Sequence, residues 1–80
     1  MLAGGKGKTN NYNVTFWWPT EGDRRDFAMH GRVGTWLSQN GKVLDKKAAP
    51  ECCRLVAEEF PELASVDVAD HQNRMARFTR

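Results

Sequence analysis

The sequence is poor in the residues that usually carry chemistry. Its two cysteines are adjacent, Cys52-Cys53, and cannot staple distant parts of the chain, so a reduced, cytoplasmic setting is expected. No C-x2-C or H-x3-H pair accompanies them. Neighbouring helical residues diverge by about 100°, so the two thiols are badly placed to share one zinc ion. His30 and His71 are the only histidines, and Ser38 and Ser65 sit in no nucleophile motif. Pairing Cys52 with His30, or Cys53 with His71, stays open on sequence alone. A cysteine on an apolar stripe is inert packing more often than a nucleophile, because a reactive thiolate needs an exposed, electropositive niche. The expectation is a non-enzymatic protein with no metal and no cofactor.

Long apolar runs are missing too. No stretch of 18 apolar residues exists, so nothing is expected to span a membrane. The opening "MLAGGKGKTNN" lacks the apolar region of a secretory signal. Its "GKT" ends like a phosphate-binding loop, but the first glycine of that motif would fall on Leu2, with no strand before it. Dense carboxylate is also absent. The formal charge is +2, which argues against a mimic of nucleic acid.

What is present is enough for one small core. Eighty residues with 40% hydrophobic content, three Trp and four Phe make a single domain rather than a disordered chain. A chain of this size is stable by about 4–12 kcal/mol, from roughly 0.05–0.15 kcal/mol per residue. Residues 1–11, rich in Gly, Lys and Asn, read as a flexible N-terminal arm, and residues 12–80 as the α+β domain.

From Tyr12 the pattern has period two. Tyr12, Val14, Phe16 and Trp18 share one face, and Asn13, Thr15 and Trp17 the other. Pro19 ends the ladder. "DFAMHGRVG" alternates as well, with Phe27, Met29 and Val33 on one side, and reads as a returning antiparallel strand. In "TWLSQNGKVLD", Asn40-Gly41 suits a type I′ turn that would set Leu37 opposite Leu44 and leave Trp36 outside. "AAPECCRLVAEEFPEL" is the one amphipathic helix, with Pro50 in its first turn and Cys52, Leu55, Val56, Phe60 and Leu63 on its apolar stripe. "SVDVAD" is a short strand. "NRMARFTR" fits a strand paired with it through a His71-Gln72-Asn73 turn, or a helix grouping Met75 with Phe78. The expected architecture is α+β, an antiparallel sheet of about four to five strands with one helix packed on one face.

Two tryptophans, Trp17 and Trp36, thus fall on faces that a single core cannot reach. Trp and Arg dominate interface hot spots, so Trp17 and Trp36 are read as anchors, with Arg24, Arg25 and Arg32 as polar or ionic contacts around them. Arg74, Arg77 and Arg80 make a second basic patch. The bland alternative is Trp17 lying under the N-terminal arm or the C-terminal arginines in a minor cluster. A protein or nucleoprotein complex is the first partner class. Exposed aromatics beside arginines also serve single-strand nucleic-acid binding, which is the alternative function. A homodimer, through the same face or through a free sheet edge, is a further option.

In size, sheet-plus-helix plan from Tyr12 to Arg80, and lack of catalytic motifs, the chain resembles small phage-encoded inhibitors of the anti-CRISPR type. The resemblance implies stoichiometric binding to a CRISPR effector complex in the host cytoplasm, keeping target DNA from being bound or cut. No motif carries the resemblance, so it transfers no functional residue.

Overall fold

The computed structural model describes residues 2–20 and 28–80. Four strands and two helices follow one another as β1 (Leu2–Lys8), β2 (Tyr12–Pro19), α1 (Ala28–Leu44), α2 (Ala49–Glu59), β3 (Ser65–Asp70) and β4 (Met75–Thr79). The strands form one antiparallel sheet in the order β1-β2-β3-β4. Both helices lie on the same face of it, so the described residues form an α+β fold with a four-stranded sheet and two helices rather than one. No helix among the described residues is long and apolar enough to cross a membrane.

β2 has the sidedness its sequence implies. Val14, Phe16 and Trp18 are buried under the helices, whereas Trp17 is half-buried on the opposite face. β3 continues the core with Val66 and Val68 opposite Phe16 and Val14. β4 is a strand, as the first of its two readings has it. Ala76 and Phe78 face inward opposite Val68 and Val66, while Met75, Arg77 and Thr79 face outward. The turn between them is held by Asp70, whose carboxylate accepts from the backbone N–H of Gln72 (2.9 Å) and of Arg74 (3.0 Å). Asn73 takes a left-handed backbone there (φ 59°), a conformation Asn tolerates better than most residues.

Two expectations are corrected. Residues 28–44, read as two strands joined by an Asn40-Gly41 turn, are the single helix α1. Met29, Val33 and Leu37 are spaced by four, which satisfies a period of two and also one helical face. Leu37 and Leu44 are seven apart, and two helical turns place them on one face, as a hairpin would by setting them opposite. Asn40 lies inside the helix with its side-chain amide donating to the Trp36 carbonyl (2.8 Å). Phe27, assigned to that strand, lies outside the described residues.

The second correction concerns the amino-terminal stretch. Leu2–Lys8, expected as part of a mobile arm, is the edge strand β1, paired with β2 from Leu2↔Pro19 to Lys8↔Asn13. Its inward positions are Ala3, Gly5 and Gly7, and the glycines are where α1 comes closest. A Cβ on Gly5 would lie 2.7 Å from the His30 ring and 2.8 Å from Phe16, and one on Gly7 would lie 2.6 Å from Leu37 Cδ1. These glycines are present for close approach, not for flexibility. The hairpin loop is then fastened to the end of α1. Asp45 Oδ1 accepts from the Thr9 hydroxyl and from Asn11 N–H (3.0 Å), and the Tyr12 hydroxyl donates to the Lys47 carbonyl.

Gly31 and Gly34 are also part of α1, and among the described residues no neighbour outside the adjoining helix backbone stands within 4 Å of a Cβ at either position. An alanine there restricts the unfolded backbone without crowding the fold. Gly31→Ala is expected to raise stability by about 0.5–1 kcal/mol. Urea unfolding midpoints of the two proteins check it.

α2 agrees with its sequence reading. Pro50 and Glu51 occupy the first turn, and Cys52, Cys53, Val56 and Ala57 are buried. Pro61 follows the Phe60 cap, whose N–H still donates to Val56 O. The end of α2 is capped from a distance, by Arg80, which donates from Nε to Leu63 O (2.6 Å) and from Nη2 to Ala57 O. A cation at a helix C-terminus meets both the unsatisfied carbonyls and the negative end of the dipole.

Candidate functional site

With both helices on one side, the other side of the sheet is covered by no element among the described residues. Strand register lays out that open face in rows. Gly4, Trp17, Ser65 and Thr79 form one row, and Lys6, Thr15, Asp67 and Arg77 the next. Lys8, Asn13, Ala69 and Met75 form the third. Leu2, 56% exposed, pairs with Pro19 beyond Trp17, while Met75, 63% exposed, sits at the diagonal corner.

Trp17 is held by its neighbours' smallness. Its direct cross-strand partners are Gly4 and Ser65. A Cβ on Gly4 would stand 3.1 Å from Trp17 Nε1 and 3.2 Å from Cδ1, so the pyrrole edge rests on the bare backbone of β1. No bulky side chain stands directly beside the indole in its row.

The middle of the face is charged. Asp67 is the one carboxylate in the three rows, only 7% exposed, and Arg77 grips it with two bonds, Nε to Oδ1 (2.7 Å) and Nη2 to Oδ2 (2.9 Å). The Arg77 hydrogen bonds hold the Asp67 carboxyl below the ordinary carboxylate range. Lys6 and Lys8, two residues apart on one strand, project from the same face. An open depression of about 510 Å³ lies over β1 and β2 between Lys6, Lys8, Asn13 and Thr15.

Asp70, outside these rows, also has a lowered pKa, first through the Arg74 N–H it accepts from. Carboxyls with folded values below their unfolded ones (about 4) stabilise the fold above that pH, and the stabilisation is lost as pH falls through the folded values. The thermal midpoint is therefore expected to be level from about pH 5 to about pH 8 and to fall below about pH 4. Asp67→Asn should give a shallower acid limb in the same melting series.

Of the residues singled out from sequence, those described do not share one surface. Trp17 is on the open face. Trp36 is on α1 in the helical layer, half-buried, its ring 5.8 Å from Phe60 and edge-on at 87°. Arg32 lies beside it, 5.6 Å over the Phe60 ring and bonded to Glu62 (2.7 Å). Trp36 was assigned to the outside of a hairpin, and the helix turns it toward α2 instead. Arg24 and Arg25 lie outside the described residues.

The three C-terminal arginines are separated as well. Arg74 pairs with Asp70 (2.9 Å) at the turn and Arg77 with Asp67 on the open face, while Arg80 turns inward to α2. Each has a structural partner, so they do not act as one patch. Lys6 and Lys8 are the face residues that the sequence reading left in the arm. The alternation in "GKGK", with lysine at every second position, was the signal that could have placed them.

Cys52 and Cys53 are buried, and burial pushes the Cys52 thiol up to about 11 and that of Cys53 upward, so both are thiols at neutral pH. Among the described residues no group of three or more His, Cys, Asp or Glu could hold a metal ion. Compared with protein-family models, curated proteins and solved structures, the chain shows no significant match.

Proposed function

We propose that this chain is a non-enzymatic binding domain whose working surface is the open face of its sheet. It acts by covering an anionic surface of a macromolecular partner. The observation that carries the reading is the coincidence of Trp17, half-buried between Gly4 and Ser65, with Lys6 and Lys8 on a face whose one carboxylate is already taken by Arg77. An indole offers large contact area, and lysines orient and steer an anionic partner. The resemblance to anti-CRISPR inhibitors supports a nucleoprotein effector as that partner, blocked by occupancy rather than by a decoy.

Heparin, a polyanion without bases, probes the face. The wild-type chain is expected to be retained at low salt and released by added salt, with K6E/K8E eluting much earlier. K42E/K46E makes the same charge change in the helical layer and is expected to elute near the wild type. Equal elution of the two double variants would overturn the assignment of the face.

A further inference from the structure

We infer that the anionic partner of the open face is single-stranded nucleic acid, with one base stacked on Trp17 and the backbone running over Lys6 and Lys8. The inference rests on the reading of that face as the working surface.

Three features select this occupant. The first is the shape of the aromatic site. Gly4 and Ser65 flank Trp17 directly, so an incoming planar ring meets no bulky side chain in that row. Leu2 and Pro19 extend an apolar margin beyond it.

The second is the order of chemistry along β1. Successive outward positions are Leu2, Gly4, Lys6 and Lys8, passing from apolar to basic within one strand. Side chains two apart on a strand stand about 7 Å apart on one face. A base on Trp17 therefore leaves its own phosphates over Lys6 and Lys8, in the manner of sheets that bind single strands through stacking and cations together. A protein interface would want clustered apolar residues in mid-face. The centre here is Lys6, Thr15 and the Asp67–Arg77 pair.

The third is what the face does not present. Both helices lie on the other side of the sheet, so among the described residues no helix projects from this face to enter a duplex groove. A half-buried indole lying on an open sheet can meet an unpaired base and has nothing to stack on in an intact duplex.

The test is anisotropy of a labelled ten-residue oligothymidine at low salt, with the matching duplex as a second arm. Binding of the single strand is expected, and Trp17→Ala should weaken it roughly 5- to 150-fold. Trp17→Phe keeps a ring and should retain most of the affinity, and Trp36→Ala should leave it unchanged. The log–log salt slope is expected near −1.4 for two lysine contacts, flattening in K6A/K8A. In the wild-type chain, the indole N–H resonance of Trp17 should move on titration while those of Trp18 and Trp36 stay, a readout that needs no variant to fold.

Tighter binding of the duplex, an unmoved Trp17 resonance, or full affinity in Trp17→Ala would overturn the inference. No oligonucleotide binding beside lysine-dependent heparin retention would overturn the inference and leave the face as the working surface. Loss of both would remove the face as well.

Discussion

Trp18→Ala is expected to destabilise the fold by about 3–5 kcal/mol, and Trp17→Ala, one residue earlier, by about 1 kcal/mol. The two rings stand on opposite sides of a pleated strand. Trp18 is 5% exposed and stacks on Phe16, with ring centroids 5.7 Å apart and planes at 26°. Removing it opens a cavity under the helices that neighbours fill only in part. Trp17 rests over one glycine, and its loss opens no interior space. For a domain stable by about 4–12 kcal/mol, the Trp18 variant stands close to the unfolding threshold. Urea unfolding of both variants decides the matter, and similar large losses would show that both indoles serve the core.

Trp18 carries a further consequence. Among the described residues its buried Nε1 has no hydrogen-bond partner, which is a desolvation cost the folded state bears. Trp18→Phe loses volume but removes that N–H. It is therefore expected to cost less than the lost ring volume alone would give.

The second large effect is Gly5→Ala, expected to cost about 1–3 kcal/mol, with Gly5→Val costing more. The new Cβ would stand 2.8 Å and 2.9 Å from two Phe16 ring carbons and 2.7 Å from His30 Cδ2. His30 is exposed and can turn away. Phe16 is fully buried between sheet and helix and cannot, so β1 or α1 must shift. The same substitution at Gly31 is expected to stabilise. Opposite signs for one chemical change, read from two unfolding curves, isolate the close approach of β1 to the buried Phe16 ring. A neutral Gly5→Ala would mean that Phe16 or the edge strand yields at little cost.

Some of the molecule was legible because its signals are local. In β2, period-two alternation fixed which of two consecutive indoles points inward. In α2, Pro50, Glu51 and the stripe through Cys52 and Val56 fixed both start and face. In β3, Val66 and Val68 showed a short strand, whereas the segment after the polar turn fitted a strand or a helix and its pairing with β3 decided between them. The orientation of Trp17, on which the proposed function rests, belongs to this group.

α1 was not legible from its own pattern. Spacings of four and seven among Met29, Val33, Leu37 and Leu44 satisfy a strand, a hairpin and a helix alike, and Asn40-Gly41 favours the wrong one. Packing against the sheet makes the choice, since one helix buries all four on a single stripe. That choice sends Trp36 and Arg32 to the helical layer and separates them from Trp17.

β1 depends on tertiary structure more than any other element. Three glycines give it almost no side-chain signal and, alone, a high entropic cost of ordering. It becomes a strand because β2 supplies a ladder of hydrogen bonds and α1 fills the gaps over Gly5 and Gly7. Lys6 and Lys8 reach the face of Trp17 only through that pairing. The sequence by itself determined which side chains point together within each strand or helix, because alternation and helical spacing are properties of the local backbone. Tertiary structure decided which elements exist where local patterns tie and which faces meet solvent together, because those outcomes depend on burial between residues far apart in the chain.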